Sequence, residues 1–112
     1  EELARAFEAC GPVRPAGFAD MGRGFDLVVN ATSSSTHGEP LELPGETFAP
    51  GATAYDMAYG PAARAFLDRA RASGAKASDG LGMLVEQAAE SFHLWRGKRP
   101  DTAGVIAALR AA

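Results

Sequence analysis

The residues best suited to chemistry stand where apolar runs stop. Asn30-Ala31-Thr32-Ser33-Ser34 follows one run, Tyr55-Asp56-Met57-Ala58-Tyr59 closes a second, and Asp79-Gly80-Leu81-Gly82-Met83 follows a third. If the runs are strands of one parallel sheet, ligands bind beyond their carboxyl ends. An amide, hydroxyls and glycines there could hydrogen-bond a ligand or let one approach the backbone. Ordinary turns favour the same residue types, so the pattern alone supports both readings about equally.

Gly80-x-Gly82 has the start of a dinucleotide-binding turn, but Val85 occupies the place of the third small residue. Asp101 lies at a suitable distance but begins a helix rather than ending a strand. The two glycines are better explained by close approach of a ligand or of another backbone. Gln87, on the helix that follows, reads by itself as a solvent-facing residue. His37 and His93 are isolated, and Lys76 and Lys98 have no partner pattern. Ser33-Ser34-Ser35 lacks the Gly-x-Ser-x-Gly elbow of a serine nucleophile.

The elements that must position these groups follow from periodicity and punctuation. Residues 1–10 have helical spacing and stop at Gly11-Pro12. Ala16–Ala19 reads as a short strand. Asp26–Ala31 is the clearest strand, apolar on successive positions as in a strand covered on both faces. Residues 36–51, with three prolines and three glycines, read as a long loop. Ala52–Tyr59 is expected to be a strand with Tyr55, Met57 and Tyr59 on one face. A helix over 62–73 follows Pro61, then a weak strand at Ala75–Ser78. The strongest helix spans 81–96, ended by Gly97 and Pro100, with Phe92 and Trp95 read as core. A last helix over 101–111 starts at Asp101 as N-cap. Strands alternating with helices indicate an α/β fold with a parallel sheet.

Composition excludes several classes. The 112 residues are one domain at most, with 46% hydrophobic residues and a net charge of −3. Without a basic surplus, neither nucleic acid nor an anionic membrane surface is an expected partner. Cys10 alone cannot form an internal disulfide, and it fits a reducing compartment. Two histidines and one cysteine cannot build a Cys-rich zinc site. No run is long enough to span a membrane. The chain opens within a helical pattern and without Met, which suggests that residues preceded it.

Three segments together resemble the carboxyl-terminal portion of the shikimate dehydrogenases: Asp26–Ser34 (DLVVNATSS), Tyr55–Pro61 (YDMAYGP) and Asp79–Trp95 (DGLGMLVEQAAESFHLW). Their order and spacing match, and the third is the most specific. The resemblance runs over residues 1 to 110 or so, yet covers well under half of the family's length. It implies an NADP-dependent oxidoreductase that interconverts shikimate and 3-dehydroshikimate in aromatic amino-acid biosynthesis, in the cytoplasm. It implies the second half of a Rossmann-like doubly wound domain over residues 1–80. Residues 81–112 would then be a helical segment packing toward an amino-terminal substrate domain outside this chain.

By the same resemblance, Thr32, Ser33, Met57, Gly80 and Met83 lie against the nicotinamide of NADP, while Tyr59 and Gln87 bind substrate. For Gln87 this reverses the reading from the residues alone. Arg64 stands where the family commonly has Thr, a surface change on a helix. The family's catalytic Lys and Asp, its glycine-rich phosphate turn and its Asn-Arg-Thr segment would lie upstream. The chain is therefore expected to be inactive by itself, and to pair with the missing amino-terminal portion or with another copy of itself. The alternative is a non-catalytic half-Rossmann module that binds a nucleotide or a partner.

Overall fold

The computed structural model describes residues 1–37 and 41–112, the side chains of residues 35 and 36 excepted. Three strands form one sheet in chain order: β1 (Phe25–Asn30), β2 (Phe48–Asp56) and β3 (Lys76–Asp79). Both pairings are parallel. The helices are α1 (Glu2–Ala6), the one-turn α2 (Ser34–His37), α3 (Arg64–Ala72), α4 (Leu81–Arg96) and α5 (Thr102–Ala111). The α/β architecture inferred from the sequence is present.

Register decides what each face of the sheet carries. Val28, Ala54 and Ala77 are partners across the three strands, as are Asn30, Asp56 and Asp79 one pleat further on. Paired residues share a face, and alternate residues point the same way. Along this face lies the core: Ala52 and Ala54 of β2 pack with Ala63, Phe66, Leu67 and Ala70, with Val28 and Ala77 at its margin. The alanines let α3 sit close to the strands. Phe66 reaches Phe48 with ring centroids 6.3 Å apart, inside the range of favourable aromatic pairs.

The opposite face is bare among the described residues. Leu27 and Val29 of β1 are 60% and 50% exposed. Among the described residues, then, only one face of β1 is packed.

Helix α4 is flanked by Gly80 at its N-cap and by Gly97 at its C-cap, whose φ of 67° is left-handed and whose N–H donates to the His93 carbonyl. Glycine accommodates that conformation without strain. Asp101 caps α5 by accepting from the Ala103 N–H, as expected. Leu84, Ala88 and Phe92 of α4 face Val105 and Leu109 of α5 across an apolar groove of about 390 Å³.

Several expectations are corrected. Ala16–Ala19 is not a strand; a single 3-10 turn, Phe18–Asp20, occupies its end, because no neighbouring strand offers a ladder. The helix over 1–10 is α1 followed by a 3-10 turn at Glu8–Cys10. The helix over 62–73 is α3, preceded by a 3-10 turn at Gly60–Ala63. The loop over 36–51 gives way to α2 at one end and to β2 from Phe48 at the other; residues 38–40 of it lie outside the described residues. Between Phe25 and Leu27, β1 advances two residues while β2 advances from Phe48 to Thr53. Pro50 and Gly51 stand in that irregular stretch, where a missing ladder donor is tolerated. β2 ends at Asp56, so Met57 and Tyr59 follow the strand rather than sharing a face with Tyr55. Phe92 and Trp95 are exposed, Trp95 by 79%, and are not core.

Candidate functional site

Parallel pairing brings three strand ends to one edge. Asn30, Asp56 and Asp79 stand side by side there, and Asn30 and Asp56 are fully buried. Buried polar groups must be hydrogen-bonded, and these are. Asn30 Nδ2 donates to Asp56 Oδ2 at 3.0 Å, and the Ala58 N–H donates to Asp56 Oδ1 at 2.9 Å. Asn30 Oδ1 accepts from the Thr32 N–H at 3.1 Å and from Thr32 Oγ1 at 2.8 Å. The Met57 N–H donates to the Asn30 carbonyl at 3.0 Å. The turns after β1 and β2 are thereby tied together.

The turn after β3 is tied to the same edge. The Gly80 N–H donates to the Ala58 carbonyl at 2.9 Å. A Cβ on Gly80 would fall 2.1 Å from the Met57 carbonyl oxygen, so glycine here permits one backbone to pass against another. Its φ of −79° is ordinary, so close approach alone demands it. Gly82 meets nothing within 4 Å.

Asp79 joins three elements. Its Oδ1 accepts from the Leu81 N–H at 3.3 Å, covering the otherwise uncapped start of α4. Arg110 of α5 donates to the same carboxylate at 2.8 Å. Burial pushes the Asp79 carboxyl up; the Arg110 guanidinium and the backbone N–H groups of Leu81 and Gly60 outweigh it, and the net shift is downward.

The residues singled out from the sequence divide into two sets. Thr32, Ser33, Met57 and Gly80 come together at the strand-end edge. The Ser33 carbonyl accepts from the His37 N–H, and it lies 2.8 Å from His37 Nδ1. Met57 and Tyr59 are exposed in the turn after β2. Met83 and Gln87 are one turn apart on the exposed side of α4, and the Gln87 amide makes no hydrogen bond among the described residues. Sequence reasoning places Asn30, Asp56 and Asp79 in the strand-end segments without giving them individual roles, and it does not single out Arg110. The signal for the first three is a polar residue ending an apolar strand; Arg110, 31 positions from Asp79, carries none.

Among the described residues no group of His, Cys, Asp and Glu could hold a metal ion. No helix among them is long and apolar enough to cross a membrane.

Comparisons with known proteins agree with this geometry. The sequence profile described as "Shikimate 5'-dehydrogenase C-terminal domain" matches residues 80–110. A shikimate dehydrogenase (NADP(+)) from Dechloromonas aromatica is 56% identical over 111 residues, covering 97% of this chain and 40% of that protein. One from Acidovorax ebreus is 60% identical over 91 residues, covering 81% and 32%. The shikimate 5-dehydrogenase of Thermus thermophilus, solved in complex with NADP(H) and shikimate, superposes with a TM-score of 0.64. It is 39% identical, over 77% of this chain and 33% of its own. An Ael1 enzyme from Pseudomonas putida gives a TM-score of 0.67 at 44% identity, over 95% and 35%. The chain spans 32% to 41% of the length of such curated relatives. In sequence and in fold it matches the carboxyl-terminal portion of the shikimate dehydrogenases.

Proposed function

We propose that the protein carrying this chain is an NADP-dependent shikimate dehydrogenase that reversibly reduces 3-dehydroshikimate to shikimate, in the cytoplasm, for aromatic amino-acid biosynthesis. The observation that carries this reading is the aligned polar edge of Asn30, Asp56 and Asp79, in a chain so close to NADP(+) enzymes. Ligands of open parallel sheets bind beyond such an edge.

The residues at the edge fit a nicotinamide. Exposed Met57 offers apolar contact, the Thr32 and Ser33 turn offers polar atoms, and exposed Met83 stands on α4 just beyond Gly80. When bound, NADP supplies or accepts the hydride. Thr32, Ser33, Met57, Gly80 and Met83 then form the wall that fixes the ring, and exclude water from it. Tyr59 and Gln87 hydrogen-bond the substrate and hold its reacting carbon toward that wall. The acid–base step belongs to a Lys and Asp pair in the amino-terminal part of the protein; no residue of this chain takes that role.

The division at residue 80 has support in the packing. The buried cluster beneath the sheet is drawn from residues up to Ala75, while α4 and α5 build their own groove. On this reading residues 81–112 are the segment that meets the substrate domain.

The test is kinetic. The whole protein is expected to oxidise shikimate with NADP, followed by NADPH absorbance, and this chain expressed alone is expected to show no rate above background. A whole protein that binds NADP but turns over neither shikimate nor 3-dehydroshikimate would support a non-catalytic binding module instead. Enzyme-like turnover by the chain alone would overturn the assignment of the acid–base pair.

A further inference from the structure

We propose that Asp56 is a positioning residue for the cofactor wall: through Asn30 it sets the orientation of the Thr32–Ser34 turn. This rests on the reading of Thr32 and Ser33 as cofactor-facing. Asp56 is itself fully buried and touches neither ligand in that reading.

Among the described residues, the direction of the side-chain hydrogen bonds in the network is consistent with Asp56 as its terminal acceptor. A carboxylate accepts and does not donate. Its Oδ1 takes the Ala58 N–H, so Oδ2 must meet a donor, which turns the Asn30 carboxamide with Nδ2 toward Asp56. Asn30 Oδ1 is then aimed at Thr32, where it accepts from both the N–H and Oγ1. With its proton committed to Asn30, Thr32 Oγ1 must accept from Ser34 Oγ, 2.5 Å away. The chain of donation runs one way, from Ser34 through Thr32 and Asn30 to Asp56. At the same time Asp56 fixes Ala58, whose carbonyl receives the Gly80 N–H. One buried carboxylate therefore orients the turns after all three strands.

The donor and acceptor pattern dictates the test, made in the whole protein. In Asp56→Asn, two amide nitrogens face each other. Flipping the Asn30 amide turns an N–H toward the Thr32 N–H, and flipping the new amide does the same at Ala58. In Asn30→Asp, two carboxylates face each other. The exchange Asn30→Asp with Asp56→Asn restores every described bond: the new amide donates to the new carboxylate and accepts from Ala58, and the carboxylate accepts from Thr32. Each single variant is expected to raise KM for NADP about ten- to a hundredfold, as misplacement of positioning groups does. KM for shikimate should move far less. The exchange variant is expected to recover NADP binding.

An Asp56→Asn enzyme with wild-type cofactor kinetics would overturn the inference. So would an exchange variant that melts like wild type yet stays as impaired as the single variants. Thr32→Trp and Met57→Ala separate this from the underlying reading. If neither alters NADP binding, the wall itself is misplaced and the inference falls with it. If they impair binding while Asp56→Asn does not, the inference alone fails.

Discussion

Gly80 and Met57 are locked backbone to backbone: a β-carbon on Gly80 would lie 2.1 Å from the Met57 carbonyl oxygen. The obstacle is main chain, itself held by the bond from the Met57 N–H to Asn30, so it cannot swing aside as a side chain could. Gly80→Ala is expected to destabilise the whole protein by about 3 kcal/mol, the upper end for overpacking. Gly82→Ala, in open space within α4, should instead stabilise by about 0.5–1 kcal/mol through helix propensity. Thermal melting of the two variants reads both signs. Equal shifts would mean that the close approach at Gly80 relaxes freely.

The Asp79–Arg110 pair makes the docking of α5 pH-dependent. The Asp79 carboxyl is held below the ordinary aspartate value of about 3.9. A group depressed by folding contributes stability above its unfolded pKa, and that contribution fades as pH falls through the lower folded value. The Arg110 side chain is half exposed, so the pair is worth about 0.5–1 kcal/mol at neutral pH. Arg110→Gln should show that deficit at neutral pH and lose it once the pH has fallen well below the lowered Asp79 value. Denaturant melts across the acid range check this; a deficit that is constant with pH would assign it to lost packing.

Tyr59 and Gln87 are exposed with polar groups ready for a ligand. If they bind substrate as proposed, Tyr59→Phe and Gln87→Ala in the whole protein are each expected to remove one substrate hydrogen bond. Losing one partner of a buried polar contact costs about 1–3 kcal/mol, or about 5- to 150-fold in kcat/KM for shikimate. KM for NADP should be nearly unchanged. Wild-type shikimate kinetics in both variants would remove these residues from the substrate site.

β1 is an edge strand that exposes Leu27 and Val29 on its open face, and α4 exposes Leu94 and Trp95. An open apolar edge strand is a template for another chain. This chain expressed alone is therefore expected to self-associate or aggregate at micromolar concentration, and to be rescued by Leu27→Lys with Trp95→Glu. Sedimentation velocity distinguishes the outcomes. A wild-type monomer that melts cooperatively would show that the edge is protected.

Elements whose residues carry their own instructions are legible in the sequence. Helix α4 matches residues 81–96 because its apolar spacing is local and Gly97 supplies a left-handed stop. Asp101 caps α5 through a neighbour two residues away. The β1 run declares a strand, and the glycines after β3 declare a close approach, which Gly80 makes. Elements that depend on distant partners are not legible. Ala16–Ala19 has strand-like residues but no strand to pair with, and it stays out of the sheet. Phe48 looks like loop yet opens β2, because it pairs with Phe25. The burial of Asp56 and the reach of Arg110 to Asp79 arise only when strands 26 residues apart and a helix 31 residues away meet at one edge. Register and packing across such separations are set by the whole folded chain, so no local window of sequence contains them.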